Sequence, residues 1–460
     1  MAGFSSLIQP DRGQAAHLVH MVAQSDPDQW RATLNARQRA AVDAGRFAAK
    51  PGEMVILPGD DADDWSVAVG MPAKPTPWDL AGAAQKLPAG TYRLAQPTQA
   101  DAALGWLLAH YRYTRYLSSP EPMAERVLLT ADVAHVDATV ALAEAVALVR
   151  DLVNTPAADM GPAQLAAAIE EEARGHGARI AIHHGDALEH DFPCVAAVGR
   201  AAAKGREPRL VEVEWGDENH PRIAIIGKGV CFDTGGLDIK PSSAMLLMKK
   251  DMGGAAHALA LARLVMRSAL PVRLHLLIPI VENSVAGDAF RPGDVLRSRK
   301  GISVEIGNTD AEGRLILADA LALACERKPE LMLDFATLTG AARVALGPEL
   351  PALFTNDDAL AEDLVAAGSA VADPLWRLPL WQPYADMLKS EIADVNNAGE
   401  GGMAGSITAA LFLQKFVEAD IAWAHFDTFA WMPSSRPGRP KGGDALGLRA
   451  SWQMLRQRFG

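Results

Sequence analysis

IAIIG at residues 223–227 and GAAHALALARLVMRSALPVRLHLLIPI at residues 254–280 decide the fold class of this chain. The first stretch is a short apolar run that ends at a glycine, which is typical of a buried strand. The second stretch has helical spacing of apolar residues over Gly254–Ser268 and continues, after Pro271, as the apolar run Val272–Ile280. A strand, a helix and a strand in this order form a βαβ unit, which predicts a parallel sheet.

The same alternation of strand and helix extends along the chain on both sides of this unit. A further helix is predicted at Leu315–Arg327, where apolar residues dominate. The sequence therefore predicts an α/β fold whose larger domain has a mostly parallel central sheet covered by helices on both faces. Further strands of this sheet are predicted at Arg179–His183, Leu210–Glu214, Ile302–Ile306 and Leu331–Phe335.

The N-terminal part is predicted to form a smaller α/β domain over residues 1–130. It combines short strand-like runs with a predicted helix at Ala102–Tyr116, and it carries no motif with recognisable chemistry. A helix rich in Ala, Val and Leu at about residues 133–152 is expected to link it to the larger domain, residues 131–460. The smaller domain would then serve in covering or assembly. Its strand-like runs are Met54–Leu57, Trp65–Val69 and Tyr92–Leu94.

The composition excludes several classes of protein. The chain has 460 residues, with 44 Lys and Arg against 56 Asp and Glu, and its net charge of −12 repels nucleic acid and anionic membranes. Its three cysteines lack C-x-x-C spacing, so neither a disulfide framework nor a thiolate zinc site is expected. No apolar run approaches the roughly 18 residues of a membrane span. These features predict a cytoplasmic protein without a membrane or nucleic-acid partner.

Charged residues are concentrated in three segments, which follow predicted strand ends or precede a predicted helix. In open α/β sheets the ligand crevice lies beyond the carboxyl ends of the strands, so these segments are the candidates for a site. Glycines in the first segment let the backbone turn tightly around a ligand. The segments are 226–240 with Lys228, Asp233 and Lys240, 249–254 with Asp251, and 308–315 with Asp310, Glu312 and Arg314.

Four carboxylates in these segments predict a site for two metal ions. Each acid alone is more often a helix cap and each lysine alone is more often solvated, but two divalent cations would balance the four negative charges together. Oxygen ligands suit Mg²⁺ or Mn²⁺, and Zn²⁺ also accepts carboxylates. Asp310, Glu312 and Arg314 alternate with a period of two, so we expect them to converge from an extended segment before a helix that begins near Leu315.

GKGVCFDTGG at 227–236, KKDMGGAA at 249–256 and NTDAEGRL at 308–315 resemble the signature segments of the leucyl aminopeptidases, the cytosol aminopeptidase family of dinuclear metallopeptidases. The likeness covers about residues 130–460. It implies a homohexameric enzyme with two divalent metal ions per chain, Mn or Zn. It further implies that a metal-bridging water attacks peptides with a free N-terminus and removes their first residue, Leu or another apolar one.

The resemblance also assigns roles to individual residues. Lys240 would polarise the scissile carbonyl, and Arg314 would hold a bicarbonate that acts as general base, with support from the Leu338 backbone. A lysine ligand must be neutral, which two nearby dications favour. One metal would take Asp233, Asp310 and Glu312, and the second would take Lys228, Asp233, Asp251 and Glu312. Residues for substrate or bicarbonate would be Met248, Asn308, Thr337, Leu338 and Gly340.

Two departures from the family pattern and two rival functions remain. Leu237-Asp238 replaces a more usual apolar-then-Ser pair, and Lys249-Lys250 doubles the positive charge beside Met248, which leaves the preferred substrate side chain open. One rival is another two-metal hydrolase, for example one acting on phosphate esters. The other rival is a non-catalytic binding or scaffold relative, against which the presence of all seven metal and catalytic residues argues.

Overall fold

The computed structural model describes residues 3–61, 63–96 and 101–460. It contains two compact units, one made of residues 1–147 and 434–441 and the other of residues 148–433 and 442–460. The helix expected between the domains is present as α5 (Val136–Asn154), and the division of the units falls inside it. Among the described residues, no helix has the length and apolar character needed to cross a membrane.

The first unit is built on a six-stranded sheet in the order β1-β6-β5-β2-β4-β3, whose neighbours are parallel except for the antiparallel pair β3 and β4. The helix predicted at Ala102–Tyr116 is too long, since the observed helix ends at Leu108. The residues from Arg112 onward are polar and would give a longer helix no apolar face to bury. The strands are β1 (Ile8–Pro10), β2 (His17–Ala23), β3 (Met54–Pro58), β4 (Trp65–Met71), β5 (Gly90–Leu94) and β6 (Arg126–Thr130), and the helices are α1 (Pro27–Ala32), α2 (Ala36–Ala44), α3 (Ala81–Lys86) and α4 (Ala102–Leu108).

The second unit is built on a mostly parallel, nine-stranded sheet, which confirms the predicted fold class. Its order is β16-β15-β18-β14-β9-β11-β8-β7, and β10 pairs with β11. The central strands β11, β9, β14 and β18 are all parallel, so their carboxyl ends meet at one edge. The strands are β7 (Arg179–His183), β8 (Arg209–Trp215), β9 (Arg222–Gly227), β10 (Gly229–Asp233), β11 (Arg273–Asn283), β14 (Leu331–Ala336), β15 (Ala352–Thr355), β16 (Trp376–Arg377) and β18 (Ala422–Asp427).

The strand predicted at Ile302–Ile306 lies outside this central sheet, contrary to expectation. It forms β13 (Ser303–Glu305) in a three-stranded sheet between β12 (Val295–Arg297) and β17 (Val395–Asn396). Periodicity identifies a strand but not its partner, and the partner on one side is supplied by a segment about ninety residues further along the chain. A further, two-stranded sheet is formed by β19 (Trp431–Met432) and β20 (Gly442–Gly443).

Glycines let helix α10 (Gly253–Arg267) pack directly against the central strands. A Cβ on Gly254 would lie 2.1 Å from the Phe335 carbonyl oxygen, and one on Gly227 would lie 2.7 Å from the Ala258 Cβ.

Cys194, Cys231 and Cys325 are buried, free thiols. The remaining helices are α6 (Pro162–Gly175), α7 (Asp186–Asp191), α8 (Pro193–Gly199), α9 (Ser242–Met245), α11 (Glu312–Glu326), α12 (Gly340–Leu346), α13 (Asp358–Ala370), α14 (Gly405–Gln414) and α15 (Leu448–Phe459).

Candidate metal centre

Polar side chains gather where the four central parallel strands end. Lys228 follows the end of β9, Thr337 follows the end of β14, Asn283 ends β11 and Asp427 ends β18. Asp233 ends β10, which pairs with the last residues of β11. Because these strands share one edge of the sheet, residues far apart in the sequence are brought together there.

Three of the predicted metal ligands form one carboxylate cluster. Asp233, Asp310 and Glu312 each offer an oxygen, and these oxygens lie within 4.8 Å of one another. Asp233 is oriented by hydrogen bonds to its Oδ1 from the Asn283 side-chain amide and the Gly235 backbone N–H, each 2.9 Å long. Asp233 is therefore held by fixed donors, and all three acidic residues line one cavity.

Two lysines neutralise much of the acidic charge. Lys228 Nζ lies 2.7 Å from Asp251 Oδ2 and 2.9 Å from Glu312 Oε1, and it donates a hydrogen bond to the Thr337 carbonyl at 3.1 Å. Lys240 Nζ lies 2.8 Å from Asp233 Oδ2 and also contacts Asp310 Oδ1. Lys228, Asp251 and Glu312 are at most 3 % exposed, so these ion pairs are shielded from water.

Burial and mutual repulsion shift the pKa values of the acids. Burial first, and then the nearby Asp233 carboxylate, raises the pKa of Glu312 to about 8. The same two causes raise the pKa of Asp310 to about 6. Burial opposes the charged form of Lys228, but Asp251 and Glu312 outweigh it, so its pKa lies above the usual range. Carboxylates that resist ionisation together are stabilised by a cation placed among them.

The donor set fits divalent metal ions. Glu312 Oε1 and Asp310 Oδ1 are buried, and each is in contact with one lysine ammonium, but in the described part of the chain neither oxygen accepts a hydrogen bond of good geometry. Buried anionic oxygens without such a bond are the groups that a hard cation would complete. The residues present therefore suit the metal-dependent chemistry that the sequence predicts.

The segment that carries Asp310, Glu312 and Arg314 corrects one expectation. Helix α11 begins at Glu312 and not near Leu315, so only Asp310 precedes the helix. Glu312 and Arg314 are about 200° apart around that helix and have different partners. Glu312 approaches Lys228, whereas Arg314 Nη1 donates a 2.5 Å hydrogen bond to the Asn397 carbonyl. The site thus surrounds the first turn of the helix, and the three residues do not converge from an extended segment.

Arg314 retains a donor that can hold an anion. Its Nε is buried, and no described residue accepts a hydrogen bond from it. Burial lowers the pKa of Arg314 to about 10, and the nearby Glu312 carboxylate opposes that shift. An unsatisfied, buried guanidinium N–H lining a cavity is suited to a small planar anion such as bicarbonate.

One cavity of about 620 Å³ brings together every residue that the sequence assigns to the site. These residues reach it from strand ends, from the 3₁₀ helix Met248–Met252 and from the starts of helices α11 and α12. Their individual roles stay predictions. The assigned residues that line the cavity are Lys228, Asp233, Lys240, Met248, Asp251, Asn308, Asp310, Glu312, Arg314, Thr337, Leu338 and Gly340.

Two supporting residues received no role from the sequence. Asp427 lines the cavity and accepts hydrogen bonds from the backbone N–H groups of Leu338 and Thr339 at 3.0 and 3.2 Å. Asn283 orients Asp233 and also donates to the Thr309 carbonyl at 3.0 Å. Both Asn283 and Asp427 end central strands, so the strand-end rule applied to every strand would have found them.

The unusual Asp238 has a structural partner. Its Oδ2 accepts a 2.7 Å hydrogen bond from the Thr309 backbone N–H and a 3.2 Å bond from the Thr309 hydroxyl. This pair ties the glycine-rich loop after Asp233 to the segment before Asp310. The added acid therefore serves to hold two ligand-bearing segments together.

Sequence comparisons agree with this geometry. The model of the cytosol aminopeptidase family, catalytic domain, matches residues 147–451, and that of the M17 aminopeptidase N-terminal domain matches residues 18–129. This chain belongs to the cytosol aminopeptidase family. The family resemblance in the motifs is thereby confirmed, and this member is a metal-dependent exopeptidase by its family. The probable cytosol aminopeptidase of Roseiflexus castenholzii is 43 % identical over 369 residues, which are 76 % of this chain and 75 % of that protein.

Solved structures of family members have the same fold. The cytosol aminopeptidase from Coxiella burnetii is 44 % identical, with a TM-score of 0.94 over 99 % of this chain and 100 % of that one. The bottromycin maturation enzyme BotP in complex with Mn is 35 % identical, with a TM-score of 0.87 over 96 % of this chain and 100 % of that one. A tomato leucine aminopeptidase mutant is 28 % identical, with a TM-score of 0.82 over 97 % of this chain and 95 % of that one.

Proposed function

We propose that the protein removes the first residue from peptides with a free N-terminus, using two divalent metal ions per chain. The observation that carries the proposal is the cluster of Asp233, Asp310 and Glu312, whose oxygens lie within 4.8 Å of one another beside Lys228 and Asp251. In the proposed arrangement Asp233 and Glu312 contribute to both ions. The Asp310 carboxylate and carbonyl complete one ligand set, and Lys228 and Asp251 complete the other.

The metal ions would supply a nucleophilic water at neutral pH and charge to stabilise the developing oxyanion. Lys240 reaches the cluster from the loop after Asp233, with its Nζ 2.8 Å from Asp233 Oδ2, so its ammonium can donate to a carbonyl oxygen held at the cluster. Arg314 would hold bicarbonate through its unpaired Nε, with support from the Leu338 backbone. That anion would accept a proton as general base.

The rest of the cavity is proposed to bind the substrate. Met248 would form a wall of the pocket for the first side chain, with Thr337 and Gly340 nearby. Asn308 is proposed as a further substrate- or bicarbonate-binding residue. We propose Leu and other apolar first residues as substrates of this pocket, a preference supported by the name of the tomato relative.

Further proposals concern the assembly, location and native ions. We propose Mn²⁺ or Zn²⁺ as the ions, and the Mn complex of BotP supports the former. We also propose a cytoplasmic homohexamer, with the smaller N-terminal domain of residues 1–130 in covering or assembly. Native mass spectrometry of the metal-loaded protein measures the number of subunits directly.

A substrate panel tests the activity against its rivals. Leu-amide, N-acetyl-Leu-amide and a phosphate monoester are incubated separately with protein loaded with Mn²⁺ or Zn²⁺. We expect cleavage of Leu-amide alone, because an acetylated nitrogen cannot offer its lone pair to a metal and adds an acyl group there. Equal cleavage of the two amides would indicate an amidase, turnover of the ester alone would indicate a phosphatase, and the absence of all turnover would indicate a binding protein.

A further inference from the structure

Two cationic side chains in the cavity have no part in the proposed metal and carbonyl chemistry. Lys250 lies in the 3₁₀ helix Met248–Met252, and Arg343 lies on α12. Both line the cavity and both approach the ring of Phe429, with the Lys250 Nζ 4.9 Å and the Arg343 Cζ 5.2 Å from its centroid. The two positive charges therefore share one aromatic wall.

The ammonium of Lys250 is buried without a close anionic partner. Lys250 is only 6 % exposed. Among the described residues, the nearest carboxylate oxygen is Asp251 Oδ1 at 4.0 Å, and no hydrogen bond from the ammonium is present. Asp251 is itself a proposed metal ligand and is bound by Lys228 and by the Thr337 hydroxyl, at 2.7 and 2.8 Å. A buried charge in this position is stabilised by an anion that enters the cavity.

The position of these cations relates them to the first side chain of the substrate. Lys250 and Met248 come from the same short helix and line the same cavity, and Arg343 stands three residues after Gly340, on the same face of α12. Met248 and Gly340 are both proposed to contact the substrate. The cations therefore border the pocket that would receive the first side chain.

The net charge of the cavity also favours an anionic group. Five acidic and five basic side chains line it, so two divalent ions would leave a positive excess. The negative potential of the whole chain, with a net charge of −12, does not cancel this excess, because low-dielectric walls concentrate the local field. A substrate with a carboxylate in its first side chain gains an attraction that an amide of the same shape lacks.

We propose that the first-residue pocket accepts Asp or Glu, with the side-chain carboxylate paired to Lys250 and Arg343. The inference rests on the proposed aminopeptidase function and extends the substrates beyond apolar residues. The methylene groups of Glu can pack on Met248 and Phe429 while its carboxylate reaches the two cations. Lys250 and Arg343 thus act as specificity-determining residues.

The test compares a Glu peptide with a Gln peptide of the same shape but no charge, and a Leu peptide serves as the reference for basal activity. Leu-Ala-Ala, Gln-Ala-Ala and Glu-Ala-Ala, each amidated at the C-terminus so that no other carboxylate is present, are given to the metal-loaded wild type and to Lys250→Met. We expect Lys250→Met to lower the Glu-to-Gln ratio of kcat/KM by about tenfold, since a partly desolvated charge pair contributes on that scale. The loss should appear in KM for the Glu peptide, because the pair forms before the chemical step.

Matched variants separate this role from a structural one. Lys249→Met removes the neighbouring lysine, whose Nζ donates to the Asn154 carbonyl at 2.6 Å, and Lys249 does not line the cavity. We expect this variant to keep the wild-type Glu-to-Gln ratio, Lys250→Arg to restore most of it, and Arg343→Met to lower it. Metal content measured by elemental analysis should be the same in all four variants.

The outcomes distinguish the two proposals. Turnover of the Leu peptide with a Glu-to-Gln ratio that is equal in wild type and Lys250→Met would overturn the inference and leave the aminopeptidase function standing. Loss of a metal ion in Lys250→Met would also overturn it, because Lys250 would then act through Asp251. Absence of turnover of all three peptides by the wild type would overturn the proposed function and the inference with it.

Discussion

At the scale of single residues, we propose different roles for Lys228 and Lys240, although both contact the same carboxylate cluster. Lys228 is almost fully buried between Asp251 and Glu312, whereas Lys240 comes from the loop after Asp233 and its side chain is 14 % exposed. A ligand must be neutral to bind a metal, and an electrophile must keep its proton to donate to an oxyanion. The difference can be measured by comparing metal content with turnover.

Lys240→Met should retain both metal ions and lose turnover. We expect kcat to fall by about 10²- to 10³-fold, the usual effect of removing one donor to a developing oxyanion. Elemental analysis gives the metal content and steady-state kinetics on Leu-amide gives kcat. If the variant instead emptied a metal site, the division of roles between Lys228 and Lys240 would be wrong.

The raised pKa values of Glu312 and Asp310 predict a pH-dependent stability of the metal-free protein. Their pKa values of about 8 and about 6 lie above those of an unfolded chain, near 4, so the native state binds protons more tightly. The stabilising contribution is fully present below about pH 4 and is lost as the pH rises through 6 and 8. The melting temperature of chelated protein should therefore fall between pH 5 and pH 8.5.

Metal-loaded protein provides the control for this pH dependence. Burial also raises the pKa of Asp319, to about 7, and adds a slope of the same sign that is independent of metal. The difference between chelated and loaded protein therefore isolates the cavity, and Glu312→Gln should reduce that difference. A melting temperature of chelated protein that stayed level or rose over this range would contradict the prediction.

The carboxylates of the site could be predicted from sequence, but their supports could not. Asp233, Asp310 and Glu312 are visible because glycines and charges cluster in short motifs after predicted strands. Asn283 carries no charge and stands at the end of a long apolar run, so it was not noticed, although it orients Asp233. Supporting residues become evident only when the strands are placed side by side.

At the scale of elements, the start of helix α11 controls the position of Lys228. A Cβ on Gly313, in the first turn of that helix, would lie 2.5 Å from the Lys228 Cε and 2.8 Å from its Nζ. Glycine at this position allows the lysine to pass over the helix and reach Glu312. Because the sequence predicts a helix that begins near Leu315, it places Gly313 before the helix and does not reveal this contact.

Gly313→Ala should displace Lys228 and thereby disturb one metal site. We expect weaker binding of one metal ion and a fall in kcat/KM on the order of 10²-fold, as for other small displacements of positioning groups. Gly175→Ala is the matched control, because a Cβ there meets no atom within 4 Å and Gly175 is the last residue of α6. This control should keep wild-type metal content and activity. Equal behaviour of the two variants would contradict the proposed role of Gly313.

Element predictions succeeded where the pattern is local and failed where it is not. Arg179–His183 is present with the predicted bounds, and the strand at Ile223–Gly227 differs by one residue. The strand at Ser303–Glu305 could be recognised but not assigned to its sheet, because β17 supplies its partner from a distant segment. Apolar periodicity predicts which residues of a strand are buried, but it does not predict which sheet, or which edge of a sheet, the strand joins.

At the scale of the whole molecule, each unit contains a hydrophobic core. One core includes Val19, Tyr92 and Trp106 in the first unit. Another includes Ile226, Leu317 and Trp423 in the second unit, which also contains all of the proposed metal ligands. The effect of the metal ions on local stability should therefore be concentrated in the second unit.

Chelation should loosen the segments that carry the ligands. Hydrogen–deuterium exchange should increase in residues 226–240, 248–254 and 308–315, because bound ions stabilise the native state and relieve the repulsion among the acids. Exchange in strands β2 and β4 of the first unit should change little. A uniform increase over both units would show that the metal ions affect folding as a whole and would contradict this prediction.

The burial of Cys194, Cys231 and Cys325 makes the chain a good starting point for site-specific spectroscopy. Burial raises the pKa of each of these thiols, so maleimide reagents, which need an accessible thiolate, should leave them unmodified. Ser243 is exposed and lines the cavity, so Ser243→Cys would provide a single reactive thiol at its rim. A fluorophore or spin label attached there would report the arrival of metal ions and peptides in real time, without removal of any native cysteine.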